Sequence, residues 1–322
     1  MILSGLFIAC SSDQGVVERA GSDTWFQEPT NKVDILWVVD DSVSMAEEQE
    51  QIANGFEDFI NAIQETNTDF HLGVVTTSFE YDDPNRGKLI GDPAVITEND
   101  DYVNLFRDRV RVGTSGSDRE KGLEAASYAL SPAMTTGANE GFLRSEAYLL
   151  LIFVSDENDC SDRMALEGEN VQACYEQTEK LVPIDTFISE IENIKYGQDQ
   201  VLVGSIIGPR ASEGCDDATP GFRYEEFTLG FGGLVGNICD ADFSSVMVDL
   251  GLNATGVRST FQLSEEPKEG TIEVYVDEVL VEEDASNGWT YDNSTLFLSF
   301  WGTAVPERGT TIVANYTVQP GS

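Results

Sequence analysis

From residue 33 the chain alternates unbroken apolar runs with stretches of helical spacing. VDILWVV (33–39) is a continuous apolar strand, and Ile52, Phe56, Phe59, Ile60 and Ile63 then recur on one helical face. FHLGVVTT (70–77) reads as the next strand, YLLLIFV (148–154) as a third and VLVGSII (201–207) as a fourth. Between them Leu123, Ala126 and Leu130 mark one helix, and Ile184, Phe187, Ile188 and Ile191 mark another. LVGNI (234–238) adds a strand, and Phe243, Val246, Val248 and Leu250 suit a closing helix before Gly251. Strands apolar at every position must be buried on both faces. The expected class is therefore α/β, a doubly wound, mostly parallel sheet flanked by helices, over residues 31–254.

Past residue 256 the texture changes to short alternating runs: 260–263, 271–276, 279–283, 296–300 and 311–318. Pro267, Gly270, Asn287, Gly288, Pro306 and Gly309 separate them, which predicts a small β-sandwich-like domain over 256–322 with Trp289, Tyr291 and Trp301 in its core. Residues 78–117 hold few apolar positions and read as exposed loops of the kind that carry specificity. Residues 11–30 are polar and aperiodic, as a tether would be.

Charge removes one class of partner. Among 322 residues, 58 Asp and Glu face 18 Lys and Arg, a formal net charge of −40. Nucleic acid is excluded, because its phosphates require clustered Lys and Arg. Such a surface suits high salt, where screening relieves self-repulsion, or serves as a solubilising coat.

The first residues read MILSGLFIACSS, an apolar run leading into Cys10. This resembles the end of a bacterial lipoprotein signal, which implies residues 1–10 as the signal, acylation of Cys10, and a lipid anchor in the membrane at the cell envelope. Cys160, Cys174, Cys215 and Cys239 remain, an even number without a C-x-x-C pair, which fits disulfides in an exported protein better than a zinc or redox site. Three pairings are open; pairing of sequence neighbours, Cys160 with Cys174 and Cys215 with Cys239, is favoured.

The candidate chemistry sits where the first strand ends. Asp40, Ser42 and Ser44 form D-x-S-x-S between a buried strand and an amphipathic helix, at the carboxyl edge where open α/β sheets bind ligands. A carboxylate and two hydroxyls on one tight loop are hard oxygen donors suited to Mg²⁺, Mn²⁺ or Ca²⁺. The same residues can instead cap the helix and satisfy turn amides. Asp156 follows the buried strand 148–154 directly.

Strand, D-x-S-x-S and helix, with an aspartate after the central strand, resemble the metal-ion-dependent adhesion site of von Willebrand factor type A (vWA) domains. The resemblance spans 31–254 and implies Asp40, Ser42 and Ser44 as the first metal loop and Asp156 as the third. Glu157 stands where that family usually has glycine. For the second loop Ser117 matches better than Thr114, although Ser117 and Glu120 also have capping-box spacing. Asp41, Glu157 and Thr114 are expected around the metal. The implied function is non-enzymatic: a cell-surface lipoprotein that grips a protein partner's exposed carboxylate through one divalent ion.

Enzyme signatures are absent from the sequence. The single histidine, His71, lies inside a strand run, and neither G-x-S-x-G nor H-E-x-x-H nor a phosphate-binding glycine loop occurs. The competing functions are a structural envelope lipoprotein with an inert metal site and, less favoured, a metal-assisted hydrolase.

Overall fold

The computed structural model describes residues 19–27, 31–65, 67–195, 200–210, 215, 218–255 and 257–319. The signal read over 1–10, Cys10, and 11–18 and 28–30 of the tether lie outside them. Strand β1 (Arg19–Phe26) is followed by β2 (Lys32–Val39), helix α1 (Ala46–Glu65), β3 (Asp69–Thr76) and β4 (Ile96–Thr97). Helices α2 (Tyr102–Val110), α3 (Gly122–Ala129) and the single turn α4 (Pro132–Thr135) lead to β5 (Tyr148–Ser155). Next come α5 (Ala173–Glu176), α6 (Ile184–Glu192), β6 (Val201–Ile207), α7 (Phe222–Gly230), β7 (Leu234–Asn237) and α8 (Ser244–Ala254). Six strands close the chain: β8 (Thr260–Gln262), β9 (Glu273–Val276), β10 (Val279–Val281), β11 (Trp289–Asp292), β12 (Phe297–Phe300) and β13 (Thr311–Val318).

These strands form three sheets, which corrects the expected class of one doubly wound, mostly parallel vWA sheet with a C-terminal all-β domain. Two sheets are antiparallel, β1-β13-β9-β10 and β11-β12-β8, and the third is mixed, β4-β3-β2-β5-β6-β7. The apolar-run reading missed three strands: β11, four residues between the runs 279–283 and 296–300, and β4 and β1. β4 is only two residues long, and it pairs antiparallel with β3 at Leu72 and His71. β1 is polar and mostly exposed, yet pairs with β13 along all eight residues, from Arg19 opposite Val318 to Phe26 opposite Thr311. The segment expected to be a tether thus donates an edge strand, and the β unit is discontinuous in sequence.

Along β2 the side chains alternate between two cores. Val33, Ile35, Trp37 and Val39 pack with Ile52, Phe56, Phe59 and Ile63 of α1 and Met247 and Leu250 of α8. Leu36 and Val38 face Leu123 and Ala126 of α3, Phe187 of α6 and Phe227 of α7. Helix α8 runs through Gly251 instead of stopping before it, and glycine is needed there for close packing on α1, since a Cβ would meet Phe59 O at 2.3 Å. The region 78–117, expected as loops, contains α2, whose inward side carries only Phe106, Arg109 and Val110. In the β unit Trp289 is buried and Tyr291 half-buried, but Trp301 is 46% exposed, so its expected core role is corrected. Both disulfides join the sequence neighbours, Cys160–Cys174 and Cys215–Cys239. No described helix is long and apolar enough to cross a membrane.

Buried Asp34, near the amino end of β2, shows how this fold treats an internal carboxylate. Arg144 meets it at 2.7 Å, the Arg144 backbone N–H donates at 2.6 Å, and Lys195 Nζ lies at 3.6 Å. Removing one partner of such a group leaves charge unmatched in a dry interior. Arg144→Ala is expected to destabilise the chain by about 3 kcal/mol or more, measured by urea unfolding, whereas Arg163→Ala at the exposed pair with Glu190 should cost less than about 1 kcal/mol.

Candidate metal site

Three connections converge at the carboxyl ends of β2, β3 and β5. Asp40 leaves β2 with its N–H donating to Val154 O (2.9 Å), and the Thr77 N–H donates to Val39 O (3.1 Å). The loop after β2 is folded by its own aspartate. Asp40 Oδ1 accepts the Ser42 N–H at 2.7 Å, and Asp40 Oδ2 accepts the Ser155 hydroxyl at 2.6 Å. Gln49 of α1 clamps this loop to the next by donating to Asp40 O (2.9 Å) and Gly113 O (2.8 Å).

Four of the five expected ligand residues come together. Ser42 and Ser44 place their hydroxyl oxygens 3.2 Å apart, and the Ser44 hydroxyl bonds Asp156. Asp40 is fully buried and Asp156 is 5% exposed. Asp156 Oδ1 is buried with no hydrogen-bond partner. The Thr219 N–H holds the Asp156 carbonyl at 2.8 Å, fixing the chain beyond β5.

Ser117 stands apart from this group. Its hydroxyl donates to Glu80 Oε1 (3.1 Å) and accepts the Arg119 N–H (3.1 Å), while its own N–H donates to Ser78 Oγ (2.8 Å). The capping box with Glu120 does not form, since α3 begins only at Gly122. Asp41 serves the loop scaffold: it accepts the Ser78 hydroxyl at 2.8 Å, and its carbonyl accepts the Gly116 N–H at 2.7 Å. Gly116 is required there, because a Cβ would fall 2.3 Å from Asp41 Oδ1. Thr114, the other second-loop candidate, makes no side-chain hydrogen bond shown among the described residues, and Glu157 hydrogen-bonds Glu120.

Glu120 is the residue that sequence reasoning missed. It is 1% exposed, its Oε1 is buried without a partner, and its nearest charges are Asp40 and Glu157. The spacing to Ser117 suggested a cap and so concealed it.

Charge balance separates this cluster from the rest of the interior. Asp34 has Arg144 and Lys195, Asp159 has Arg223 at 3.0 Å, and Asp162 has Lys121 at 2.7 Å. Asp40, Glu120 and Asp156 form no ion pair with any described cation. Burial and then neighbouring carboxylates push Asp156 up to about 6, with Ser44 opposing. Burial, with Asp156 adding to it, raises Asp40. Burial, Asp40 and Glu157 raise Glu120 strongly. Removing carboxylates from water without a counter-charge costs several kcal/mol each, so the group demands protons or a cation.

The residues fit a hard divalent ion on this structure's own terms: two buried carboxylate oxygens without partners, two hydroxyls and no competing cation. Among the described residues no three His, Cys, Asp or Glu side chains converge closely enough to form a cage alone. Hydroxyls and water would therefore complete the shell, which is the habit of Mg²⁺. His71, on β3 opposite Asp34, lies toward the other end of the sheet, with Nδ1 3.0 Å from Phe142 O.

No family profile matches the chain, and no curated protein matches it. Among solved structures it is similar to the pilus adhesin SpaC from Lactobacillus rhamnosus GG. The open conformation gives 11% identity and a TM-score of 0.42, and another crystal form of that adhesin gives 11% and 0.44. Both alignments cover 91% of this chain but 39% of the adhesin, so the chain spans less than half of that protein's length. Likeness at this level assigns neither family nor function.

A carboxylate whose folded pKa lies above its unfolded value favours folding while protonated and loses that contribution as pH rises through the folded value. The metal-free chain is therefore expected to melt at a lower temperature at pH 8 than at pH 4, with the part due to Asp156 lost between its ordinary value of 3.8 and the raised value of about 6. Asp156→Asn should flatten this slope by about 3 °C or more in calorimetric scans at high salt, against the background repulsion of the acidic surface. An unchanged slope would mean that Asp156 is not strained when ionised.

Proposed function

We propose that this chain is a non-enzymatic adhesion protein of the cell envelope that binds one divalent cation and, through it, a partner protein's carboxylate. Asp40, Ser42, Ser44 and Asp156 would hold the ion, with Glu120 contributing charge from the second loop where the sequence pointed to Ser117. The supporting observation is the set of buried carboxylates that lack a counter-cation in a fold that pairs its other buried acids. It is joined to the likeness of the D-x-S-x-S loop and Asp156 to a metal-ion-dependent adhesion site.

A bound divalent ion supplies a positive centre with exchangeable positions. The protein's own part is to keep donors fixed. Ser155 and the Ser42 N–H orient Asp40, Thr219 anchors Asp156, and Gln49 ties the first loop to the second. The surface is strongly anionic, so a carboxylate-bearing partner would be repelled unless a cation stands between them. Lipid anchoring through Cys10 would keep the site at the cell surface, and the two disulfides agree with an exported protein.

Calorimetric titration of Mg²⁺, Mn²⁺ and Ca²⁺ into the full chain tests this, in enough salt to saturate diffuse acidic binding. One site is expected. Asp40→Ala and Asp156→Ala should each weaken it by roughly 100-fold or more, Glu120→Gln by roughly 10-fold, and Ser117→Ala by less than about 3-fold. Titration without a discrete site, or a site indifferent to Asp40 and Asp156, would contradict the proposal.

A further inference from the structure

A cleft lies on the α3 and α6 side of the mixed sheet, lined by none of Asp40, Glu120 and Asp156. Its volume is about 370 Å³. Arg86 stands at its centre, with the guanidinium 5.5, 5.2 and 5.4 Å from the ring centroids of Phe79, Tyr81 and Tyr128. One N–H donates to Tyr81 O at 3.1 Å, and the other guanidinium donors meet no acceptor among the described residues. Arg86 is thus a half-buried guanidinium without a carboxylate partner in a chain with 58 acidic residues, and unlike Arg109, which is almost fully buried, it lines an open cleft.

The acids that share the cleft are already engaged. Glu190 pairs with Arg163 and accepts the Ser127 hydroxyl at 2.8 Å, and Glu124 accepts the Arg163 N–H at 3.1 Å. Lys121 is taken by Asp162 at 2.7 Å. Ser131, also in the lining, has a buried hydroxyl without a partner.

The rim is built under strain. Arg163 and Met164 both take left-handed backbone conformations, at φ 49° and 69°, which side chains with a Cβ disfavour by about 1–2 kcal/mol each. Asp162 holds them there, accepting the Met164 N–H at 3.2 Å and the Leu166 N–H at 2.6 Å. The Cys160–Cys174 disulfide closes the same loop. What the strain presents is Met164, 47% exposed, facing across the cleft from Tyr81, 62% exposed.

We propose that this cleft is a binding site for an organic carboxylate carried on an aromatic or branched apolar body. The carboxylate takes the open edge of Arg86, in the planar geometry a guanidinium offers, and the body lies against Tyr128 and Met164. The aromatic rings behind Arg86 hold its plane and limit its hydration, which strengthens the charged contact. A free aryl acid and the carboxyl terminus of a peptide ending in an aromatic residue share this chemistry.

Both sources can be tried on the full chain by NMR titration, with phenylacetate against phenylacetamide, and Gly-Gly-Phe against its C-terminal amide. At least one acid should bind in the millimolar range and more than about 10-fold tighter than its amide. Which acid binds identifies the source. Affinity should rise with moderate NaCl, because screening relieves repulsion from the acidic surface. Arg86→Gln should abolish the preference for acid over amide, and Arg86→Lys should leave only a part of it, both with an unchanged melting temperature. Equal binding of acids and amides by the unmodified protein, or no binding of either acid, would overturn the proposal without touching the metal site, since neither comparison needs a divalent ion.

Discussion

Everything at the ligand end of the mixed sheet follows from one constraint: three strands end side by side and deliver acidic side chains into a space that water hardly reaches. Asp40 at the end of β2, Asp156 just past β5 and Glu120 before α3 are each almost fully buried, and no Lys or Arg was placed among them. The fold has the means to supply one, as Arg144 beside Asp34 shows at the other end of the same strand. The omission is local, and it sits where the backbone is most tightly braced, by Gln49, Ser155, Ser78 and Thr219. Donors braced in this way cannot turn toward solvent, so the unmatched charge must be met by protons or, as proposed, by a cation.

Much of this was legible in the residues. The fully buried strands β2, β5 and β6 announce themselves as unbroken apolar runs, and helices α1 and α6 as apolar stripes, because burial on both faces leaves no polar position to confuse the pattern. Two of the missed strands are ones whose stability does not come from burying a face. β1 is held by backbone pairing to β13, some 290 residues away, and carries no apolar alternation to betray it. β4 has two residues. β4 makes the six-stranded sheet mixed where a mostly parallel one was expected, and β1 adds a strand from residues 19–26 to the β unit beside β13.

The site was readable where local spacing dictates it and obscure where tertiary placement does. Asp40, Ser42 and Ser44 share one turn, and Asp156 directly follows a fully buried strand, which pairs with β2. Ser117 and Glu120 belong to a loop whose course depends on Glu80, Ser78 and Arg119, contributed by the connection after β3. That connection turns the serine outward and the glutamate inward, the reverse of what a capping motif suggests. The Arg86 cleft was equally hidden, since its aromatic rings come from two separate segments.

If a single divalent ion neutralises this cluster, crystals of the full chain grown with Mn²⁺ and measured for anomalous scattering will show one dominant peak beside the Asp40 and Asp156 carboxylates, absent from crystals of Asp156→Ala. Peaks scattered over the acidic surface, with none at this cluster, would contradict it.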